Sequence, residues 1–317
     1  MPQIEHWSKM KERSGVIGIK ILLALYSLFG RYVLKLVLYP IVAFYYWRSE
    51  TSRQASLQYL ERVANCYPAA LHHKQPNHRM GIEHFHQFSL SAVDKIDGWV
   101  GKLKVSDIKK SGRHYFTSLI ERKQGAIFIG SHLGNLELCR ALSSGYYNVR
   151  INVLVFTAHA VNFNRLLKEI NPDVDVNLIQ VTQLGPDLAI MLKERIEQGE
   201  FLVIVGDRTS TSSAGKTKVC NFMGDKAHFP TGPFILSSLM ECPVYLLFCL
   251  HKTDGYHLYV EPFAEEGLKF PRKTRDESIQ QCIENYAGRL EHHCSQAPLQ
   301  WFNFFDFWAE DTSAVSR

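Results

Sequence analysis

No apolar run in this 317-residue chain reaches the roughly 18–20 residues of an uninterrupted membrane span. The two longest, Ile21–Gly30 and Leu36–Trp47, fall well short. No pair among its seven cysteines has CxxC spacing, and their number is odd. That argues against a disulfide framework and for a reducing, cytosolic compartment. A net charge of +5 is too mild to argue for nucleic acid, and no helix-turn-helix or zinc-finger pattern appears. Internal repeats, low-complexity tracts and linkers are lacking, so the bulk of the chain reads as one domain. The apolar start is too long for a secretory signal and lacks a small-residue cleavage site.

What is present is apolar and aromatic. Hydrophobic residues make up 46% of the chain and aromatics 12%, enough for one large core. The slight basic balance suits an anionic membrane surface or an acidic protein partner. Residues 1–47 read as a membrane-associated helical segment, and 48–317 as the working domain. Within the first, Val16–Trp47 is interrupted by Lys20, Arg31 and Lys35 and broken by Pro40. A span over Val16–Leu34 with snorkelling charges, a helix in the interface, and a helical hairpin all remain open. Tyr39, Tyr45, Tyr46 and Trp47 cluster like an interfacial belt, against the alternative of an ordinary core helix.

Helices are expected over Thr51–Leu71, ended by Pro68 near Tyr67, and over Arg79–Lys95, with Phe85, Phe88 and Val93 inward. His72, His73, His78, His84 and His86 lack Cys or carboxylate partners at ligand spacing, so they read as solvated and no metal is expected. From Trp99 strands and helices alternate. Strands are expected at Trp99–Val105, Ala126–Ile129, Ile151–Phe156, Val176–Ile179 and Phe201–Val205. Helices are expected at Ser111–Arg122, Asn135–Leu142, Val161–Ile170 and Pro186–Glu197. This order predicts an α/β fold, a mostly parallel sheet flanked by helices. Pro243–Leu250 and Tyr256–Val260 then form an antiparallel pair, and Arg275–Glu291 a helix.

The chain is organised around Gly125–Arg140. Ala126–Ile129 is a buried strand, Gly130-Ser-His-Leu-Gly134 a glycine-bracketed turn, and Asn135 caps a helix carrying Glu137. His132 thus sits at the C-terminal edge of the sheet, where open α/β sheets bind ligands. On one helix His132 and Glu137, five apart, would point roughly 140° from each other. With His132 in the turn and Glu137 in the first helical turn, they can meet. A carboxylate fixing one imidazole nitrogen leaves the other as a base for a hydroxyl. The plain alternative is a turn histidine beside a glutamate that complements a helix dipole.

Ser131-His-Leu-Gly-Asn-Leu-Glu137 resembles the His-x4-Asp/Glu motif of glycerolipid acyltransferases, and most closely the late acyltransferases of lipid A biosynthesis. Further blocks follow in the order of that family: Asn162–Lys168 with Arg165, Asp207-Arg208 after a strand, Val219–Pro233, and Pro298-Leu-Gln-Trp301 with its aromatic tail. The resemblance implies a glycerolipid acyltransferase-like fold. It also implies acyl transfer to a lipid hydroxyl on the cytoplasmic side of a bacterial inner membrane. The donor would be an acyl thioester of acyl carrier protein, the favoured carrier, or of coenzyme A, with no further cofactor. His132 would be the base and Glu137 its orienting carboxylate. Backbone N–H groups at Gly134 and Asn135 would stabilise the oxyanion. Arg165 and Arg208 would bind phosphate or carboxylate, being suited to bidentate contacts. Asp207 would pair with Arg208 or orient a substrate group. Phe222 and Phe229 would line an apolar cleft for the acyl chain, while Pro230, Gly232 and Pro233 shape entry into a helix near Phe234. His228 reads as a loop residue.

Other acceptors, a lysophospholipid or a polyene lipid, stay open. So does a non-catalytic protein binding lipid or carrier protein. A hydrolase is a further class, although Ser131 is misplaced for a nucleophile because a histidine fills the centre of the G-x-S-x-G-like turn.

Overall fold

The computed structural model describes residues 16–99, 103, 107–136, 138, 149–155, 176–180, 185–208 and 217–309. Three helices lead: α1 (Val16–Arg48), α2 (Glu50–Cys66) and α3 (His78–Trp99). The strands are β1 (Lys109–Ser111), β2 (Ala126–Gly130), β3 (Ile151–Val155), β4 (Val176–Gln180), β5 (Phe201–Val205), β6 (Thr217–Phe222), β7 (Asp225–Pro230), β8 (Val244–Lys252) and β9 (Gly255–Ala264). Between and after them lie α4 (Arg113–Glu121), α5 (Pro186–Glu197), α6 (Gly232–Met240) and α7 (Arg275–Gln296).

The main sheet has seven strands in the order β1-β9-β8-β2-β5-β3-β4. Every neighbouring pair is parallel except β8–β9. The expected mostly parallel α/β architecture is the one observed. β2 is buried along its whole length, as a central strand covered on both faces must be. Alternate residues feed different cores. Ile127, Ile129, Leu202, Ile204, Leu246 and Phe248 face a large core with Ile283 and Tyr286 of α7. Ala126, Phe128, Phe201, Val203, Tyr245 and Leu247 face a smaller one with Leu119 of α4. The period of two is thus preserved in strands that read as continuous apolar runs.

Several boundaries differ from expectation. Trp99 closes α3 instead of opening a strand, and the edge strand lies later, at Lys109–Ser111. Phe88 is exposed rather than inward, while Val93 is buried. Pro40 lies inside α1 without ending it. The break falls at Gly30, whose φ of +70° is a left-handed conformation suited to glycine. The expected helix Val161–Ile170 lies outside the described residues. Leu34, Val42 and Tyr46 of α1 are buried, and Tyr46 packs edge-on against Phe85 of α3. On its other face Leu36, Ile41, Phe44 and Trp47 are exposed. Among the described residues no helix is long and apolar enough to cross a membrane.

Candidate active site

Two adjacent parallel strands build the site. β2 and β5 run in register, with Gly130 opposite Val205. The ladder continues one step as the Gly206 N–H donates to the Gly130 carbonyl at 3.0 Å. Two residues past each strand end stand His132 and Asp207, brought side by side although 75 positions apart.

Asp207 is fully buried and accepts four hydrogen bonds. Its Oδ1 takes His132 Nδ1–H at 2.8 Å. Its Oδ2 takes the His132 backbone N–H at 2.9 Å, Trp301 Nε1–H at 3.0 Å and Asn303 Nδ2–H at 3.2 Å. Because the carboxylate holds Nδ1–H, Nε2 carries the lone pair. No described residue occupies Nε2, and the His132 side chain keeps 29% of its surface exposed.

The electrostatics favour a neutral imidazole beside an ionised carboxylate. Burial, with the Arg208 charge behind it, holds the His132 imidazole below its ordinary range, against the pull of Asp207. Burial would raise the Asp207 carboxyl. His132, its hydrogen bonds and Arg208 outweigh that and set it below the usual range. Arg208 is itself pushed down to about 10 by burial. Its Nε donates to Asn303 Oδ1 at 2.5 Å and its Nη2 to the Phe302 carbonyl at 2.7 Å. Two of its donors therefore hold the C-terminal segment.

The expected oxyanion donors are already engaged. The Gly134 N–H bonds to the Gln300 carbonyl and the Asn135 N–H to the Cys249 carbonyl, both at 2.8 Å. The turn is laced between β8 and the tail, so these amides hold the backbone and do not face a substrate. Gly134 is obligatory here: its φ is +71°, and a Cβ would lie 2.0 Å from the Cys249 oxygen. The Asn135 side chain is buried and donates to the Ser91 carbonyl at 3.0 Å. Beside this turn a shallow open cleft runs between α1, α3 and the tail, with Lys35, Gln87, Ser91, Asn135, Tyr256 and Phe302 among its walls.

The other expected residues divide. Glu137 and Arg165 lie outside the described residues. Phe222 and Phe229 are fully buried and pack on each other at 5.4 Å, so they are core residues rather than walls of an open cleft. Their apolarity serves the hairpin β6–β7, which rests on Trp301, Phe307 and Tyr286. His228 lies on β7, not in a loop. Gly232 is the first residue of α6. Ser131 is 2% exposed and its Oγ accepts the Leu133 N–H, which leaves it no role as a nucleophile. Two of the expected surface histidines are not solvated: His86 is half-buried against Tyr39, and His84 lies in the core. His84 is buried, accepting from Ser56 Oγ–H at Nδ1 and donating from Nε2 to the Trp301 carbonyl. Among the described residues no group of His, Cys, Asp or Glu is gathered to hold a metal ion.

Sequence reasoning missed Trp301 and Asn303 as site residues. They stand two apart across a tight turn, in which the Asn303 N–H donates to the Trp301 carbonyl at 3.0 Å, and both side chains reach Asp207. No curated protein matches the chain. The bacterial lipid A biosynthesis acyltransferase family matches residues 87–309, which include His132, Asp207, Arg208, Trp301 and Asn303. The chain belongs to that family, and it is an acyltransferase of lipid A biosynthesis.

Proposed function

We propose that this acyltransferase works at the cytoplasmic face of a bacterial inner membrane, moving a fatty acyl group from a thioester to a hydroxyl of a lipid A-type acceptor. Acyl carrier protein is the favoured donor carrier, coenzyme A the alternative. The observation that carries the reading is the His132–Asp207 pair, with Nε2 left open at the C-terminal edge of the sheet.

In the proposed reaction His132 Nε2 takes the proton of the acceptor hydroxyl as its oxygen attacks the thioester carbonyl. Asp207 keeps Nδ1 protonated and stabilises the imidazolium that forms. The tetrahedral intermediate collapses with loss of the thiolate, which receives the proton from Nε2. An ester C–O bond replaces the thioester C–S bond, and a free thiol leaves. Family resemblance suggested Glu137 as the orienting carboxylate, a role this reading gives to Asp207, and it suggests Arg165 as an anion-binding cation. The exposed apolar face of α1, with Leu36 79% and Phe44 63% exposed, supports a helix lying on the membrane surface.

The test is transfer from labelled acyl carrier protein into a total bacterial lipid extract, wild type beside His132→Ala. A labelled lipid that disappears in the variant is expected, and its mass identifies the acceptor. Equal labelling by both proteins would remove His132 as the base. Separate lysophospholipid and polyene lipid acceptors decide between the remaining acceptor classes.

A further inference from the structure

The C-terminal segment does more than cover the sheet edge. It contributes two of the four donors on Asp207, and its backbone pairs with the histidine turn. The Phe302 N–H bonds to the His132 carbonyl at 2.9 Å, and Leu133 and Trp301 form an antiparallel bridge. Asn303 also links opposite charges: its Nδ2 donates to Asp207 while its Oδ1 accepts from Arg208. We propose that Trp301 and Asn303 are positioning residues for acyl transfer, acting through Asp207 on the proton affinity and tautomer of His132.

The argument is one of geometry and charge. A carboxylate with a single hydrogen bond can rotate and present either oxygen. With Oδ2 held by three donors, Oδ1 is directed at Nδ1 alone. The indole is fully buried and wedged against Tyr59, Phe222 and Phe307, so its N–H cannot turn away. Each donor also draws charge from Asp207 and so tempers its pull on the His132 proton. Removing a donor leaves a more basic carboxylate, which stabilises the imidazolium and raises the pKa of His132. Among the described residues the other charged or titratable groups around the pair are Arg208 after β5, Lys95 on α3, and Cys294 and Tyr286 on α7, the Tyr286 hydroxyl donating to the Gly130 carbonyl.

This inference rests on the acyl-transfer reading for its kinetic arm and stands apart from it in its spectroscopic arm. Trp301→Phe keeps the aromatic packing and deletes the N–H. Asn303→Asp keeps an acceptor for Arg208 and replaces the donor on Asp207 with a second negative group. For both variants kcat is expected to fall roughly tenfold, the scale of one hydrogen bond to a charged group, with acceptor and donor KM little changed. The acid limb of the pH–rate profile is expected to move to higher pH, further in Asn303→Asp. NMR titration of the His132 imidazole in the folded, substrate-free proteins should show the same upward shift.

A fall in kcat with an unmoved acid limb and an unmoved His132 titration would overturn the proposal and leave the tail a purely structural cover. If the titration shifts but the wild type transfers no acyl group, the positioning role holds and the acyl-transfer reading fails instead.

Discussion

Replacing Asp207 by asparagine tests the site most directly, because shape is kept and one proton is added. The new amide has two orientations. With its oxygen toward His132 Nδ1–H, its NH₂ would face three donors, the His132 N–H, Trp301 Nε1–H and Asn303 Nδ2–H. Each unmade buried bond costs about 1–3 kcal/mol, so that orientation is disfavoured by several kcal/mol. Turned the other way, the amide oxygen satisfies all three donors and the NH₂ points at Nδ1. His132 must then accept at Nδ1 and carry its proton on Nε2, which is the wrong tautomer for a base. A bias of about 2 kcal/mol already removes the active tautomer roughly 30-fold. The imidazolium also loses its counter-charge, and together the two effects predict a fall in kcat on the order of 10³-fold or more. The assay is steady-state acyl transfer at pH 7.5, with the His132 ring nitrogens followed by ¹⁵N NMR. Acyl-donor KM should change little. A variant within tenfold of wild type, or one that keeps its proton on Nδ1, would refute the reasoning and return the orienting role to Glu137.

Three further outcomes are expected. Gly134→Ala places a methyl 2.0 Å from the Cys249 carbonyl oxygen at a positive φ, so activity should be lost with a lowered melting temperature; wild-type behaviour would mean that the turn has another conformation. His84 is buried and neutral, with its pKa lowered from 6.5 to about 4 chiefly by burial. The unfolded chain binds that proton first as pH falls, so stability present above pH 6.5 is lost down to about pH 4. The loss amounts to about 3 kcal/mol in urea titrations and should be absent in His84→Gln. Leu36→Asp with Phe44→Asp should leave the melting temperature within a few degrees and reduce co-sedimentation with anionic vesicles; unchanged pelleting would place the membrane contact elsewhere.

The site was partly legible because its two strands were. Ala126–Ile129 and Phe201–Val205 are short apolar runs, each followed by glycine and polar residues, so both His132 and Asp207 could be placed at one sheet edge. That they meet depends on β2 and β5 being neighbours in register, with Gly130 opposite Val205. Strand order is a property of the assembled sheet, and a five-residue local spacing drew attention to Glu137 first. The backbone donors at Gly134 and Asn135 failed as oxyanion candidates for a related reason. Their partners are Gln300 and Cys249, more than a hundred residues away, and nothing local distinguishes a free amide from an engaged one. Phe222 and Phe229 show that apolarity has the same signature in a core as in a cleft. His84 shows the converse. A polar residue enters the core once Ser56 and the Trp301 carbonyl satisfy both ring nitrogens, and neither partner is near in sequence.

Trp301 explains why the aromatic tail could be noticed and not understood. Its size and the flanking phenylalanines suit a core and a membrane surface alike, and the ring packs at 0% exposure among Tyr59, Phe222 and Phe307. A buried indole must still find an acceptor for its N–H. Here the acceptor is the carboxylate that holds His132 Nδ1, so one side chain joins the core to the proposed base. The same strand of tail returns its backbone to the histidine turn and its Asn303 to Arg208. The rigidity that the proposed reaction needs is therefore supplied from both directions. Parallel strands β2 and β5 deliver His132 and Asp207 to one edge, and a segment some ninety residues later locks the pair in place. A base that must not rotate between turnovers is held most firmly by partners that are themselves core residues. On that logic, substitutions under the indole, such as at Phe307, should reach the pH dependence of transfer through Trp301 without touching a reacting atom.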